Sequence, residues 1–217
     1  MSRDNPSVVI YGTGGHSKVV YEILAIKQIP VAGFMDKDES RSGSMHNGRP
    51  YFGTHKLLGK KPYPFDAAVI AIGDNKLRKE LTELFLEHSI PIISVVHPES
   101  IVSPGVHLGR GCCICAGAVV GPGTTLGEGV IINSGAVVDH DCELGDFTHV
   151  APHTTLCGGV TCGKLTFIGA GATVIQEIKI GENTIIGAGS TVLSHIPSNV
   201  TAFGTPARLK VAVNKKS

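Results

Sequence analysis

The apolar positions change rhythm once along the chain, near residue 97. Before that point, short apolar runs alternate with amphipathic stretches. "SVVIY" (7–11) predicts a strand, "GTGGHSK" turns it, and "VVYEILAIKQ" continues with apolar positions 19, 20, 23, 24 and 26 on one helical face. "VAGFMD" (31–36), "DAAVIAIG" (66–73) and "PIISVVHP" (91–98) predict three further strands. "NKLRKELTELFLEHS" predicts a second helix, with Leu77, Leu81, Leu84 and Phe85 on one side. Strand and helix alternate, which predicts a small Rossmann-like α/β domain over residues 1–97.

From Ile101 a six-residue period takes over. Sixteen consecutive hexads run to Ile196 without an insertion. The second residue of each, from Val102 through Val138 to Val192, is aliphatic everywhere except at Cys162. Such a period predicts a parallel β-helix over 98–217: three hexads per triangular coil, about five coils, the second residue pointing inward and small residues turning the corners. A run of hairpins would need alternation with period two. The fold class is therefore α/β plus all-β.

Composition narrows the partners. The chain has 217 residues, 42% of them hydrophobic, and a net charge of +1. A substantial core is available, while the balanced charge disfavours nucleic acid and anionic membranes as partners. No apolar run reaches transmembrane length, so no membrane insertion is expected. "MSRDNPSVVIYG" has no signal-peptide core, so a cytoplasmic location is expected. The six cysteines all lie in the second half. Without a secretion signal they are expected to be free thiols. At eighteen residues per coil no two of them share a column, and no paired CxxC is present, so a thiolate metal cluster is not expected.

The regular half carries one unusual group, Asp139-His140-Asp141 in "INSGAVVDHDCELGDF". With Val138 pointing inward, His140 falls at or near a corner, away from the core. An adjacent carboxylate orients an imidazole and favours its protonated form, which suits a general base for an attacking amine or hydroxyl. Asp139 and Asp141 are both placed to do this. A nucleophilic cysteine, Cys142 or Cys157, is the rival mechanism. In the first half, "GTGGHSK" follows a strand and opens a helix, a placement that suits an anion at the helix N-terminus. Asp36, ending the second strand, sits where a ribose hydroxyl is held in dinucleotide folds. Gly12-x-Gly14-x-x-Ser17 lacks the third glycine, so a nucleotide without nicotinamide fits as well.

Together, "IYGTGGHSKVV", "AIGDNKLRKEL", "VVHPESIVSPGVHLGRG", "NSGAVVDHDCELGDFTHVAPHTTLCGGV" and "GTPARLK" resemble the bacterial sugar O- and N-acyltransferases with an N-terminal nucleotide-sugar domain. Within them the chain is most similar to N-acetyltransferases of nucleotide-linked 4-amino-4,6-dideoxy sugars, as in bacillosamine and perosamine synthesis. The resemblance implies a left-handed β-helix, a homotrimer, acetyl-CoA as co-substrate and no metal. It implies His140 as catalytic base with Asp141 raising its basicity. It places acetyl-CoA contacts at His149, Gly158, Ala170 and Ala188, and nucleotide-sugar contacts at Gly14, Gly15, His16, Asp36, Lys37 and Gly73. Arg208 and Lys210 are further candidates for coenzyme phosphates. The acceptor is expected to be the 4-amino group of a UDP-linked sugar. GDP-perosamine N-acetylation and sialic acid O-acetylation are the alternatives, since amine and hydroxyl acceptors need the same base. Two other classes stay open: a hexapeptide-repeat carbonic anhydrase using His140, His149 and His153, and a non-enzymatic nucleotide-sugar sensor.

Overall fold

A computed structural model describes residues 7–210. The stretch before Ser7, part of the segment expected to lack a signal-peptide core, and the end of the second region beyond Lys210 lie outside the described residues. Strand β1 (Val8–Tyr11) runs into helix α1 (Gly15–Ile26) and then strand β2 (Val31–Met35). β1 is central, flanked in parallel by β2 and by the strand Ala67–Ile70. All four residues of β1 are buried, as expected of a parallel strand covered on both faces. α1 packs on one face through Val20, Ile23 and Leu24. Helix α2 (Asn75–Glu87) packs on the other through Leu81 and Phe85. Asp74 caps α2, its carboxylate accepting from Leu77 N–H at 2.8 Å.

Three sequence expectations need correction here. The buried stripe of α2 is Arg78, Leu81, Thr82 and Phe85, while Leu77 is 40% exposed. Ile26, expected on the inner face of α1, is 49% exposed. The run 91–98 does not form a fourth strand of the α/β sheet. Ile92 makes one isolated parallel bridge to Ala68, and Val95–Val96 pairs instead with Cys113–Ile114 of the solenoid.

All sixteen hexads form two-residue strands, stacked in parallel on three faces. The first face runs from Ile101–Val102 to Thr191–Val192 (six strands) and the second from His107–Leu108 to Lys179–Ile180 (five strands). The third has eight strands: it begins at Val95–Val96 and ends with Thr201–Phe203 and an antiparallel Arg208–Leu209. Partners are eighteen residues apart throughout the repeats, as in Val120↔Val138 and Leu126↔Leu144. The second hexad residues form the core from Ile114 to Val192, and Cys162 takes its place among them at 1% exposure. The repeats fit a left-handed parallel β-helix of about six levels, slightly more than the five expected because strands before and after the hexads extend it. The fifth residue of every hexad but the last turns a corner with positive φ, most often as glycine (Gly117, Gly123, Gly135).

Candidate active site

His140 sits at the corner between the first and second faces. The fifth hexad position beside it is Asp141, a non-glycine residue held at φ 57°. Asp tolerates this region better than most residues, although at some cost. The turn aims its carboxylate at the imidazole: His140 Nδ1–H donates to Asp141 Oδ2 at 2.8 Å. Asp139 faces elsewhere, its Oδ1 accepting from the His140 backbone N–H at 2.8 Å. The structure thus separates the two acids, which sequence spacing left equivalent. The Asp141 hydrogen bond, followed by the charge of Asp139, raises the His140 pKa. With Nδ1 occupied, Nε2 is the nitrogen left to take a proton.

Two glycines make room for this pair. Gly158 lies one coil above His140, and a Cβ there would fall 2.5 Å from both Cε1 and Nε2 of the ring. Gly123 lies one coil below Asp141, and a Cβ there would collide with its Oδ1. The ring borders an open depression of about 520 Å³ that also touches Cys157, Gln176 and Glu177. Cys142 faces inward instead: its thiol donates to Cys157 O at 3.3 Å, and burial pushes its pKa up to about 11, so it stays protonated.

The other expected residues fall in three places. Ala170 and Ala188 lie exposed, one above the other, at the corner between the third and first faces. The first face separates them from His140 within one chain. His149 lies on the third face, at the seam with the α/β unit. There its Nδ1–H donates to Gly73 O at 3.3 Å, Asn133 Nδ2–H donates to its Nε2 at 3.2 Å, and Phe167 stands edge-on to it. Burial, then the charge of Arg78, pushes its pKa down to about 4. Both hydrogen bonds require the neutral ring, which agrees with that direction. His16, in the first turn of α1, is likewise pushed down to about 4 by burial and then Arg78. His140, His149 and His153 do not meet within the chain. Among the described residues, no group of three or more His, Cys, Asp or Glu side chains is placed to hold a metal ion.

The glycine loop is shaped from the side. Asp36 Oδ2 accepts from Thr13 N–H at 2.8 Å and from its hydroxyl at 2.5 Å, while Oδ1 accepts from Lys37 N–H at 2.7 Å. Asp36 therefore fixes the loop and keeps only part of its acceptor capacity for a ligand. Side chains added at Gly14 or Gly15 would meet nothing, so this backbone is open to solvent. Asp36 and Lys37 border a cleft of about 380 Å³ with Tyr11, Ile72 and Leu81. Gly73 borders a groove of about 620 Å³ between the α/β unit and the solenoid, where Asn75 and Lys76 face Phe167, Asn183 and Ile185. Arg208 and Lys210 are exposed at the end of the solenoid.

The residue that sequence reasoning missed is Arg78. Only 1% exposed, it crosses the seam and spends all five of its donors: Nε on Gly129 O (2.8 Å), Nη1 on Ile72 O (3.0 Å) and Gly73 O (3.2 Å), Nη2 on Asn75 Oδ1 (2.9 Å) and Phe147 O (2.9 Å). The available signal was its register, three and seven residues before Leu81 and Phe85 on the stripe that packs inward.

An α/β unit clamped to a hexapeptide prism, with an imidazole and carboxylate at an open corner, defines the class of two-domain hexapeptide acyltransferases. Residues 7–85 match the PglD N-terminal domain, and residues 123–158 and 159–194 match the bacterial transferase hexapeptide family (six repeats). The chain is 39% identical to a variant of perosamine N-acetyltransferase from Caulobacter crescentus, solved with CoA and GDP-perosamine; the match covers 94% of this chain and 97% of that one, with a TM-score of 0.88. It is 34% identical to the acetyltransferase domain of PglB from Neisseria gonorrhoeae FA1090 in complex with acetyl coenzyme A, covering 95% and 100%, with a TM-score of 0.87. UDP-N-acetylbacillosamine N-acetyltransferase of Bacillus subtilis (strain 168) is 36% identical over 114 residues, and the match spans about half of each protein, 51% of either. The chain belongs to the family of hexapeptide-repeat sugar acetyltransferases that carry a PglD-type N-terminal domain. No helix among the described residues is long and apolar enough to cross a membrane.

Proposed function

We propose that the chain transfers the acetyl group of acetyl-CoA to the amine of a nucleotide-linked amino sugar, the 4-amino group of a UDP-linked 4-amino-4,6-dideoxy sugar. The observation that carries this reading is the His140–Asp141 contact at an open corner, with Nε2 free and glycine above and below. The amine nitrogen attacks the thioester carbonyl carbon. Nε2 of His140 takes the amine proton as the C–N bond forms. The C–S bond then breaks, and the proton passes to the departing thiolate. Asp141 holds the imidazole in the required tautomer and stabilises the imidazolium. The α/β unit anchors the nucleotide, which lowers the entropic cost of bringing the amine to the thioester.

The site is proposed to form between neighbouring copies in a homotrimer. His140 and the Ala170–Ala188 corner stand on opposite edges of the first face, and a second prism packed alongside would close that separation. Exposed Ile101, Ile185, Leu193 and Phe203 supply apolar surface on the solenoid for such packing. Lining the corner with small residues, Ala170, Gly171, Ala188 and Gly189, leaves the backbone accessible to a coenzyme arm.

The test is consumption of acetyl-CoA against a panel of UDP- and GDP-linked 4-amino sugars and free sialic acid. Turnover is expected with the nucleotide-linked amines, fastest with UDP. Activity on sialic acid alone would reject the acceptor class, and a clear preference for GDP would reject the nucleotide.

A further inference from the structure

We infer that Arg78 and Asn75 form a positioning clamp that sets the height of the loop 72–75, whose Gly73 is an expected nucleotide-sugar contact, along the prism, level with His140. The inference rests on the acceptor reading above. Gly129, Phe147 and Leu165 are eighteen residues apart, so their carbonyls form one column on three successive rungs of the corner between the second and third faces. Arg78 donates to the first two, at 2.8 and 2.9 Å. Asn75 Nδ2–H donates to the third, at 3.1 Å, and to Thr166 O at 3.1 Å. The two side chains are joined to each other by Arg78 Nη2–H to Asn75 Oδ1 at 2.9 Å.

The middle rung of this column, Phe147, belongs to the same coil as His140. The Gly73 carbonyl is gripped from both sides, by Arg78 Nη1 at 3.2 Å and by His149 Nδ1 at 3.3 Å, and His149 also belongs to that coil. Rungs are about 4.8 Å apart, so slipping by one would move the loop by nearly a sugar ring's width. The guanidinium suits this task because its five donors lie in a rigid plane. No carboxylate lies within ion-pair distance of it among the described residues, so its charge is met chiefly by carbonyl dipoles. Hydrophobic packing would hold the two units together without fixing a position, whereas directional bonds to the carbonyl column fix it to within one rung, and the Gly73 contact with His149, whose stacked neighbours are Ile131, Phe167 and Ile185, selects the rung.

The experiment compares wild type with Arg78→Lys and, as a second variant that leaves the guanidinium in place, Asn75→Ala. It measures kcat, binding of UDP, GDP and CoA by calorimetry, and the melting temperature. A positioning role predicts that kcat falls about 10- to 100-fold in Arg78→Lys and less in Asn75→Ala. Nucleoside diphosphate and CoA affinities should stay within about threefold, because each ligand still finds its own surface. Unchanged kcat in both variants would overturn the inference. So would a loss that tracks weakened binding of both ligands and a lowered melting temperature, which marks a purely structural residue. A wild-type protein inert on every nucleotide-linked amino sugar would overturn the reading beneath it.

Discussion

Gly158→Ala should silence the enzyme while sparing its fold. The backbone at Gly158 lies outside the left-handed region, so alanine is conformationally acceptable there. The added methyl would sit 2.5 Å from Cε1 and Nε2 of His140 and 3.1 Å from Nδ1. Ordinary carbon contacts begin near 3.5 Å, so the ring must retreat by about 1 Å. The imidazole stands at an exposed corner and is free to rotate outward, so the strain is relieved by the side chain rather than by the coil. That rotation breaks the Nδ1–Asp141 hydrogen bond and carries Nε2 off its line to the amine. A misplacement of about 1 Å at a reacting group costs about 10²-fold in rate. Gly158 itself is buried, but the clash falls on an exposed ring that can swing into solvent, so the melting temperature should move by only about 2 °C. The assay is kcat, with melting as control: kcat should fall about 10²-fold. Activity within twofold of wild type would show that the ring does not rest on Gly158 during turnover.

Asp141→Asn should move the pH profile. A raised His140 pKa keeps the imidazole protonated to higher pH, so the basic form, and with it kcat/KM, rises with pH along a limb above the ordinary 6.5. The amide removes the main cause, so the limb should shift to lower pH with a lower plateau; an unmoved limb contradicts the pairing. His149 folds neutral with its pKa near 4 against 6.5 when unfolded, so its share of stability is intact above pH 6.5 and is lost as pH falls towards 4. That share amounts to roughly 3 kcal/mol. His149→Gln should therefore flatten the decline of Tm between those pH values, and an equally steep decline would refute the buried-neutral assignment. Leu156→Ala removes a fully buried core residue and should cost about 2–5 kcal/mol in urea unfolding; a loss under about 1 kcal/mol would contradict the tight core.

The solenoid was legible because its repeat places each residue type in the same environment every six positions. Inwardness, corner and rung follow from arithmetic on Val138 and Asp141 alone. The choice between Asp139 and Asp141 was not legible, because it turns on backbone φ and side-chain rotation at a single corner. Arg78 was hidden by its own chemistry. Helical periodicity reads charge as solvent-facing, and Leu77 looked like the better core residue. The seam carries a column of corner carbonyls needing donors, so the arginine turns inward and the leucine outward. The run 91–98 failed for a related reason: its apolar residues are shared between a single bridge on the α/β sheet and the first rung of the prism, so a strand-like composition marks the junction of two units. Nor does the repeat arithmetic bring the expected coenzyme residues to the base: within one chain Ala170 and Ala188 lie across the first face from His140.

The most direct test of the account is a single-turnover measurement of acetyl transfer by His140→Ala with acetyl-CoA and the nucleotide-linked amine both at saturation. The side chain is exposed and bonded only to its neighbours, so its removal should leave assembly and CoA affinity intact. The account predicts a rate lower by about 10²- to 10⁴-fold, the contribution of a positioned general base. A rate within a few-fold of wild type, with both ligands bound, would contradict it.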